Sequence, residues 1–556
     1  MAIKTLAAAF RVRHDDSEDI ALQNLKDGKI AMPPAVPAPP YRHAAPSGPW
    51  PWMDFNIEFT TSTESTTAID PSWRGYPQNQ FGNWTPDQVG RSQMLEKCLG
   101  NMSSTIYWMD VRDDGSFGCP DLGRNGDTMV VGIEHEDVFW DILREERAEN
   151  IRVRSIFVDD LTSPVLRMLG TTYNIEPFFF TSSINWIPSR YQEAPVHKKG
   201  DHITITLPFV RTLRKNSRSA PTFPTPLSQP PTDNQINTQA PFPMSDGSTL
   251  FIDLLAIHMV RDVKTSTIIS YHPESTWCRT SAKRLHSLMQ LVGDSVYWQK
   301  IFDRSKDPTF LFLAILWYPL YAWDESFELL YTHVSELESK VLQTNNTELT
   351  RDLHVLQAHL LHYQSLLHNF KVSVQFIAKT HNPAMESSDA FELNESKELM
   401  KTESDNLLSE IDRLEKRRAI LTNRLKNVMD LAFATVNLID SKLTRRLTEA
   451  TVRDSAAMKQ ISYLTMVFLP ATFLASVFGM NVEEFSSGGY QTLAHYLEVT
   501  LSLTLFTIYV VITLQTQSSF HAPDAPFMQR TVWPVLTLWK IVYMYKPKEK
   551  TVKNIV

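Results

Sequence analysis

The sequence predicts an α+β domain followed by a very long stalk helix and two C-terminal transmembrane helices, and three observations carry that prediction. Residues 384–469 contain neither Gly nor Pro, although 18 Gly and 33 Pro in 556 residues would place about eight there, and only a long helix gains from excluding both. Residues 460–529 contain neither Lys nor Arg, where about seven would be expected, and two apolar segments of near-spanning length lie inside that gap. Upstream, short runs rich in β-branched residues separate helical patterns, as in a mixed α and β domain.

Whole-chain averages conceal this organisation but exclude several classes of function. A mean hydropathy of −0.22 rules out a protein whose mass lies mostly in a bilayer. With 62 acidic against 54 basic residues and a net charge of −8, the chain lacks the basic balance that a nucleic-acid partner requires. Its three cysteines, Cys98, Cys119 and Cys278, are too few and too scattered for a disulfide framework or a thiolate zinc site, so a reducing compartment is expected.

Residues 1–100 read as an N-terminal extension, largely disordered, because the first 51 are rich in Pro and Ala. Residues 1–13 are faintly transit-like, but Asp15, Asp16, Glu18 and Asp19 follow at once, against a targeting segment. Residues 101–305 read as an α/β domain, interrupted by a disordered insertion at about 215–248 whose residues 223–247 are rich in Pro, Gln and Asn. Within it, IRVRSIFV ends a strand at Asp159 and Asp160, HITITLPFVR at 202–211 is a second strand, and 249–261 and 263–271 form a strand pair.

Residues 306–380 read as cytosolic helices. The apolar run 309–323 is short for a span and contains Pro319, so it is expected as a buried helix instead. His354, His359, His362 and His368 lie on the next helix. Only His359 and His362 share a helical spacing, and no carboxylate completes a metal site, so a solvated face is expected. The stalk helix, 384–460, carries an apolar series at three and four: Leu407, Ile411, Leu414, a break at Arg418, then Leu421, Leu425, Val428 and Leu431. Its acidic residues, Glu403, Asp405, Glu410, Asp412 and Glu415, alternate with basic ones as on a solvated face. A plain coiled-coil scaffold also fits the stalk.

The apolar segments 461–478 and 497–514 are each 18 residues long, near the lower limit for crossing hydrocarbon. This gives a first span at 461–480, an external loop at 481–496, a second span at 497–515 and a basic tail at 516–556. Lys442, Arg445, Arg446, Arg453 and Lys459 precede the hairpin, and Arg530, Lys540, Lys546, Lys548, Lys550 and Lys553 follow it. Both flanks are therefore expected on the cytoplasmic side, with the link carrying Glu483 and Glu484 facing out. A buried hairpin in a soluble domain is the alternative. Along the first span Met458, Thr465, Thr472 and Gly479 fall seven apart, interleaved with Ser462, Leu469 and Ser476. This seam of small and hydroxyl residues suits either close helix packing in lipid or a wet pore shared by several subunits. In the tail, 532–545 is too short to span, and both an interfacial segment and a packed helix fit it.

The segment LPATFLASVFGMN at 469–481 resembles the CorA family of magnesium channels and transporters. The resemblance rests on the Gly-Met-Asn triplet Gly479, Met480 and Asn481, preceded by Phe478, closing the first of two C-terminal spans. DPTFLFLAILWYPLYAWDESFELLYTHVSELE at 307–338 is similar to the family's helix before the stalk, and LGTTYNIEPFFF at 169–180 with the strand-like HITITLPFVR at 202–211 follow its order of helix, Glu-Pro turn and strand. In all, the likeness covers about 151–514 and is most specific in its last fifth.

The resemblance implies a homopentameric funnel in a lipid bilayer that passes hydrated divalent cations, Mg²⁺ first, driven by their electrochemical gradient. Gly479, Met480 and Asn481 would form a selectivity loop in which Asn481 holds the ion through its water shell. Glu483 and Glu484 would form an acidic outer mouth, and Met458, Thr465, Leu469, Thr472 and Ser476 would line the pore. No cofactor, enzymatic activity or nucleic-acid partner is implied, and no phosphate-binding Gly-rich loop is present. Both termini would be cytoplasmic and the plasma membrane, rather than the mitochondrial inner membrane, the location. Two departures leave the ion open to Zn²⁺ and other divalents: Val482-Glu483-Glu484-Phe485 replaces the usual Met-Pro-Glu, and Ser455 stands where bacterial members carry a pore Asn. A membrane-anchored scaffold or sensor without conduction remains the alternative, and a soluble enzyme in the α/β part finds no catalytic constellation.

Overall fold

The β-branched and aliphatic runs of the first 280 residues assemble around one sheet, which the long helices then cover. The computed structural model describes residues 36, 46–48, 50–51, 70–98, 102–119, 128–214, 236–273, 279–343, 348–480 and 493–514, with 528, 531, 532, 539 and 543. They divide into two units, Met1–Thr435 and Val436–Val556.

In chain order the first unit contains a 3-10 turn at Trp73–Gly75, α1 (Pro86–Ser92), α2 (Met94–Lys97), β1 (Ser104–Arg112), β2 (Phe117–Gly118), β3 (Thr128–Val131) and α3 (Glu136–Arg144). There follow β4 (Ile151–Asp159), α4 (Ser163–Thr172), α5 (Phe178–Ile184), β5 (Ser189–Val196), β6 (Gly200–Leu213), β7 (Phe242–Pro243), β8 (Thr249–Asp262) and β9 (Ser266–His272). Helices complete it: α6 (Ala282–Gly293), α7 (Val296–Arg304), α8 (Thr309–Gln343), α9 (Glu348–Lys379) and the first part of α10 (Ala390–Phe478).

The strands form one sheet in the order β2-β1-β4-β9-β8-β6-β5, with β3 also on β1 and β7 also on β8. β4 and β9 are parallel, while β1–β4, β5–β6, β6–β8 and β8–β9 are antiparallel, so the sheet is mixed. The register pairs Ile203 with Met259, Ile205 with Ile257 and Leu207 with Leu255, and all six are fully buried. On the same face Arg261 reaches α8 and the turn after α9. It donates to both Asp201 oxygens, to Thr309 Oγ1 at 3.1 Å, and to the carbonyls of Thr380 and His381 at 3.4 and 3.0 Å. All the donors of the guanidinium are thereby used, and both partners of the Arg261–Asp201 pair are fully shielded from solvent. The turn that precedes α10 is fixed to the sheet by this contact and by Asn382 Nδ2 donating to Asp307 Oδ1 at 2.9 Å.

The run 309–323 is the start of α8 and lies in the core as expected: Phe310, Leu311, Phe312, Leu313, Ile315 and Leu316 are fully buried. The apolar series of α10 is buried against α8 and α9 of its own chain rather than left for a coiled-coil partner. Leu407, Ile411 and Leu414 are fully buried, and Leu421, Leu425 and Val428 nearly so. Polar pairs at the edges set the directions. Asp324 of α8 meets Arg413 and Arg417, and Glu338 meets Arg424, so α8 and α10 run parallel. Lys371 of α9 meets Asp412 and Glu415, and His354 meets Phe433, so α9 runs antiparallel to both.

Several expectations need correction. Residues 70–98 are folded, not an unstructured extension: Trp73, Tyr76, Trp84 and Met94 are buried in the main core. Residues 236–248 belong to the domain, since β7 pairs with β8 and Phe242 and Met244 are buried; 215–235 lie outside the described residues. His359 does not face solvent. It is 3% exposed, stacked 4.9 Å from Phe242, and burial pushes its pKa down to about 4. His354 and His368 are exposed as expected. Glu403 is buried and accepts a hydrogen bond from the Tyr297 hydroxyl. Asp159 caps α6, its Oδ1 accepting from Ala282 N at 2.7 Å, and burial raises it to about 7.

Candidate functional site

The site read from the sequence falls in the second unit, whose described elements are the remainder of α10 and α11 (Leu493–Leu514). α10 continues without interruption through Pro470 to Phe478. Pro470 has no N–H for the carbonyl of Met466, but a single lost bond does not break the helix. Gly479 N bonds Ala475 O at 3.0 Å and Met480 N bonds Val477 O at 3.2 Å, so the helix tightens from i−4 to i−3 at the Gly-Met pair. Gly479 is not in the left-handed region. Its demand for glycine is one of space, because a Cβ there would lie 3.1 Å from the Ala475 carbonyl.

Helical geometry places Met458, Ser462, Thr465, Leu469, Thr472, Ser476 and Gly479 on one stripe at about 100° per residue. The opposite side meets α11. Phe478 packs edge-on against Tyr496 with centroids 5.8 Å apart, and the Tyr496 hydroxyl donates to Ala471 O at 3.3 Å. Pro470 and Leu474 on that side are buried. The stripe itself is open: Leu469 is 71% exposed and Met458 67%.

The hydroxyls of the stripe all spend their one proton on the helix. Ser462 Oγ donates to Met458 O at 2.9 Å, Thr465 Oγ1 to Ile461 O and Ser462 O at 3.1 and 2.9 Å. Thr472 Oγ1 donates to Phe468 O and Leu469 O at 2.9 and 3.0 Å, and Ser476 Oγ to Thr472 O at 2.9 Å. What they present outward is lone pairs. An acceptor-lined stripe of this kind attracts the hydrogens of a cation's water shell and repels an anion. Asn481, Glu483 and Glu484, the rest of the expected site, lie outside the described residues.

Among the described residues, two helices are long and apolar enough to cross a membrane, Ala390–Phe478 by its apolar end and Leu493–Val511 within α11, and only 11% and 0% of their apolar windows are buried. The alternative of a hairpin buried in a soluble core is therefore not what the structure contains. Among the described residues, no three His, Cys, Asp or Glu side chains are placed to hold a metal ion.

Residues 280–515 match the family model described as CorA-like Mg²⁺ transporter protein. This segment resembles a CorA-like domain. It begins just before α6 and ends at the close of α11, so it contains α6 to α11, both apolar helices among them. The chain is also similar to the complete structure of the CorA magnesium transporter from Methanocaldococcus jannaschii, at 13% identity over 73% of this chain and 96% of that one, TM-score 0.38. The soluble domain of the same protein gives 13% identity over 51% and 89%, TM-score 0.33. The full-length CmaX protein gives 11% identity over 74% and 98%, TM-score 0.31. No curated protein matches the sequence.

Sequence reasoning found the stripe through its seven-residue spacing but missed the groups that fix the head of α10. Arg261, Asp201, Asp324 and Glu338 act across 60 to 120 positions of sequence, and no local pattern links them to their partners.

Proposed function

We propose that this chain is a divalent-cation channel, with Mg²⁺ as its principal cargo, in which several copies bring their α10 stripes together around a pore. The observation that supports this most is the open, acceptor-only stripe of a CorA-like domain turned away from its own hairpin partner. Mg²⁺ sheds its water reluctantly, so a pathway that hydrogen-bonds the hydrated ion passes it without the cost of stripping it. In this reading Thr465, Thr472 and Ser476 contact the water shell, while Leu469 and Met458 form rings that close by dewetting. Gly479, Met480 and Asn481 form the outer selectivity loop, and Glu483 and Glu484 concentrate cations at the mouth. Five copies form the pore, both termini are cytoplasmic, and the plasma membrane holds the channel. The gradient supplies the driving force, and the chain performs no enzymatic chemistry.

The test is Mg²⁺ uptake by a transport-deficient cell carrying either the native chain or Asn481→Ala at equal surface abundance. Uptake by the native chain that falls at least several-fold in the variant supports the reading. Equal uptake by both would remove Asn481 from selection, and no uptake by either would remove conduction.

A further inference from the structure

Three histidines far from the proposed pore hold one hairpin of the sheet against the helices. Residues 236–248, which contain β7 and the turn after it, lie across α8 and α9. Ser245 N donates to Nδ1 of His333 on α8 at 3.2 Å, and the Ser245 hydroxyl bonds the same nitrogen at 2.9 Å. The Thr238 hydroxyl bonds Nδ1 of His362 on α9 at 2.9 Å. The Phe242 ring packs 5.6 Å from the ring of His333 and 4.9 Å from that of His359. Only two residue pairs join β7 to β8, so the hairpin depends on these contacts with the helices.

A backbone N–H can only donate, so the bond from Ser245 requires a lone pair on His333 Nδ1 and places that ring's proton on Nε2. A second proton at Nδ1 would set two donors 3.2 Å apart and break the bond. His333 and His359 are both buried. His359 lies between Phe242 and Tyr363, whose hydroxyl is 3.3 Å from its Nδ1, and a charge there would be cut off from water. His362 is half-buried and stands three residues from His359 on the same helix, so charges on both would repel.

The charged groups that face His333 are Glu336 and Lys340 of α8 and Asp246 of the turn, and the acidic pair and the lysine act in opposite senses. His359 faces Tyr363 and His362, and His362 faces Thr238 and His359. Among the described residues no carboxylate bears on either of them. We propose that His333, His359 and His362 form an acid-released clamp, which holds residues 236–248 on α8 and α9 while the three rings are neutral and lets them go when the rings take up protons. The clamp bridges the two helices against which α10 packs.

Burial, with His362 alongside, pushes His359 down to about 4, and burial lowers His333 and His362 as well. Released, all three return toward the ordinary 6.5. A ring lowered by docking binds its proton more weakly when docked. The clamp is therefore at full strength above about 6.5 and weakens as pH falls toward about 4. Between about pH 7.5 and 5.5 His359 alone accounts for about tenfold, and His333 and His362, shifted in the same direction, carry the loss beyond that.

Hydrogen exchange of the full chain in detergent, corrected for the intrinsic pH dependence of exchange, reads the clamp from peptides covering 236–250. Protection there should fall by more than about tenfold between about pH 7.5 and 5.5, and at the lower pH these amides should exchange faster than those of β4 and β6. His359→Phe keeps a ring against Phe242 but takes no proton, so its loss should be about tenfold smaller. With His333→Asn and His362→Asn added, the hairpin should keep its protection at both pH values, because Asn offers an acceptor near the place of Nδ1 that takes no proton. A native hairpin whose protection ignores pH overturns the clamp. So does one that exchanges only as fast as β4 and β6, which is release by global unfolding alone, and so does a triple variant with the native pH response. Should the triple variant fail to fold, an unchanged response in His359→Phe overturns the clamp by itself.

Discussion

Thr472→Val is the substitution that separates a conducting stripe from a packing stripe. The two side chains have nearly the same shape, and the Thr472 hydroxyl gives its proton only to carbonyls of its own helix, at 2.9 and 3.0 Å. The replacement thus leaves those carbonyls with their ordinary helix partners and removes only the outward lone pairs. Each neutral hydrogen bond lost to a passing hydrated ion is worth about 0.5–1.5 kcal/mol. With about two such contacts made at once in a shared pore, the barrier rises by about 1–3 kcal/mol, or about 5- to 150-fold in rate. The assay is Mg²⁺ entry into proteoliposomes loaded with a Mg²⁺-sensitive dye, at matched protein density. Thr472→Ser should conduct like the native protein. Thr504→Val, which removes a hydroxyl bonded to Thr500 O at 2.7 Å on α11, should also conduct normally. Native flux through Thr472→Val, or an equal loss in Thr504→Val, would refute the assignment of the stripe to the pore.

Other outcomes follow from the first unit. Arg261→Met strands a buried Asp201 and should destabilise that unit by about 3–5 kcal/mol in urea unfolding followed by Trp fluorescence, with Asp201→Leu in the same chain restoring much of the loss. Asp159, raised to about 7 by burial, lowers stability as pH rises from its ordinary 3.8 toward 7, so Asp159→Asn should flatten the pH dependence of unfolding in that window. His359, held down near 4, is neutral in the fold and favours unfolding as pH falls from 6.5 to 4. His359→Phe should therefore unfold at lower pH than the native chain, whereas a metal-ligand role predicts loss of a bound ion instead.

The elements that were legible in the sequence are those whose stability is written locally. β4, β6 and β8 declare themselves by continuous aliphatic runs, and α10 by the exclusion of Gly and Pro over most of its length. The stripe was legible because a helix repeats its face every seven residues. The strap at 70–98 was not, since Trp73, Tyr76 and Trp84 have no periodicity of their own and gain order only by docking on α4 and α5. Glu403 and His359 were read as solvated because charge and spacing describe a helix face, not what lies over it. Tyr297 and Phe242, which cover them, are more than 100 residues away. What covers the apolar series of α10 was hidden in the same way: the pattern shows that Leu407, Ile411 and Leu414 want burial, and α8 and α9 supply it.

The central claim is tested most directly by ion-replacement flux through the purified chain in proteoliposomes, with Mg²⁺, Zn²⁺, Ni²⁺ and Co²⁺ offered in turn across set voltages and gradients. The account predicts passive divalent entry with Mg²⁺ passing readily, rising with inside-negative potential, and altered selectivity in Asn481→Ala. Absence of divalent flux at every voltage and gradient, from protein shown to be folded and inserted, would contradict it.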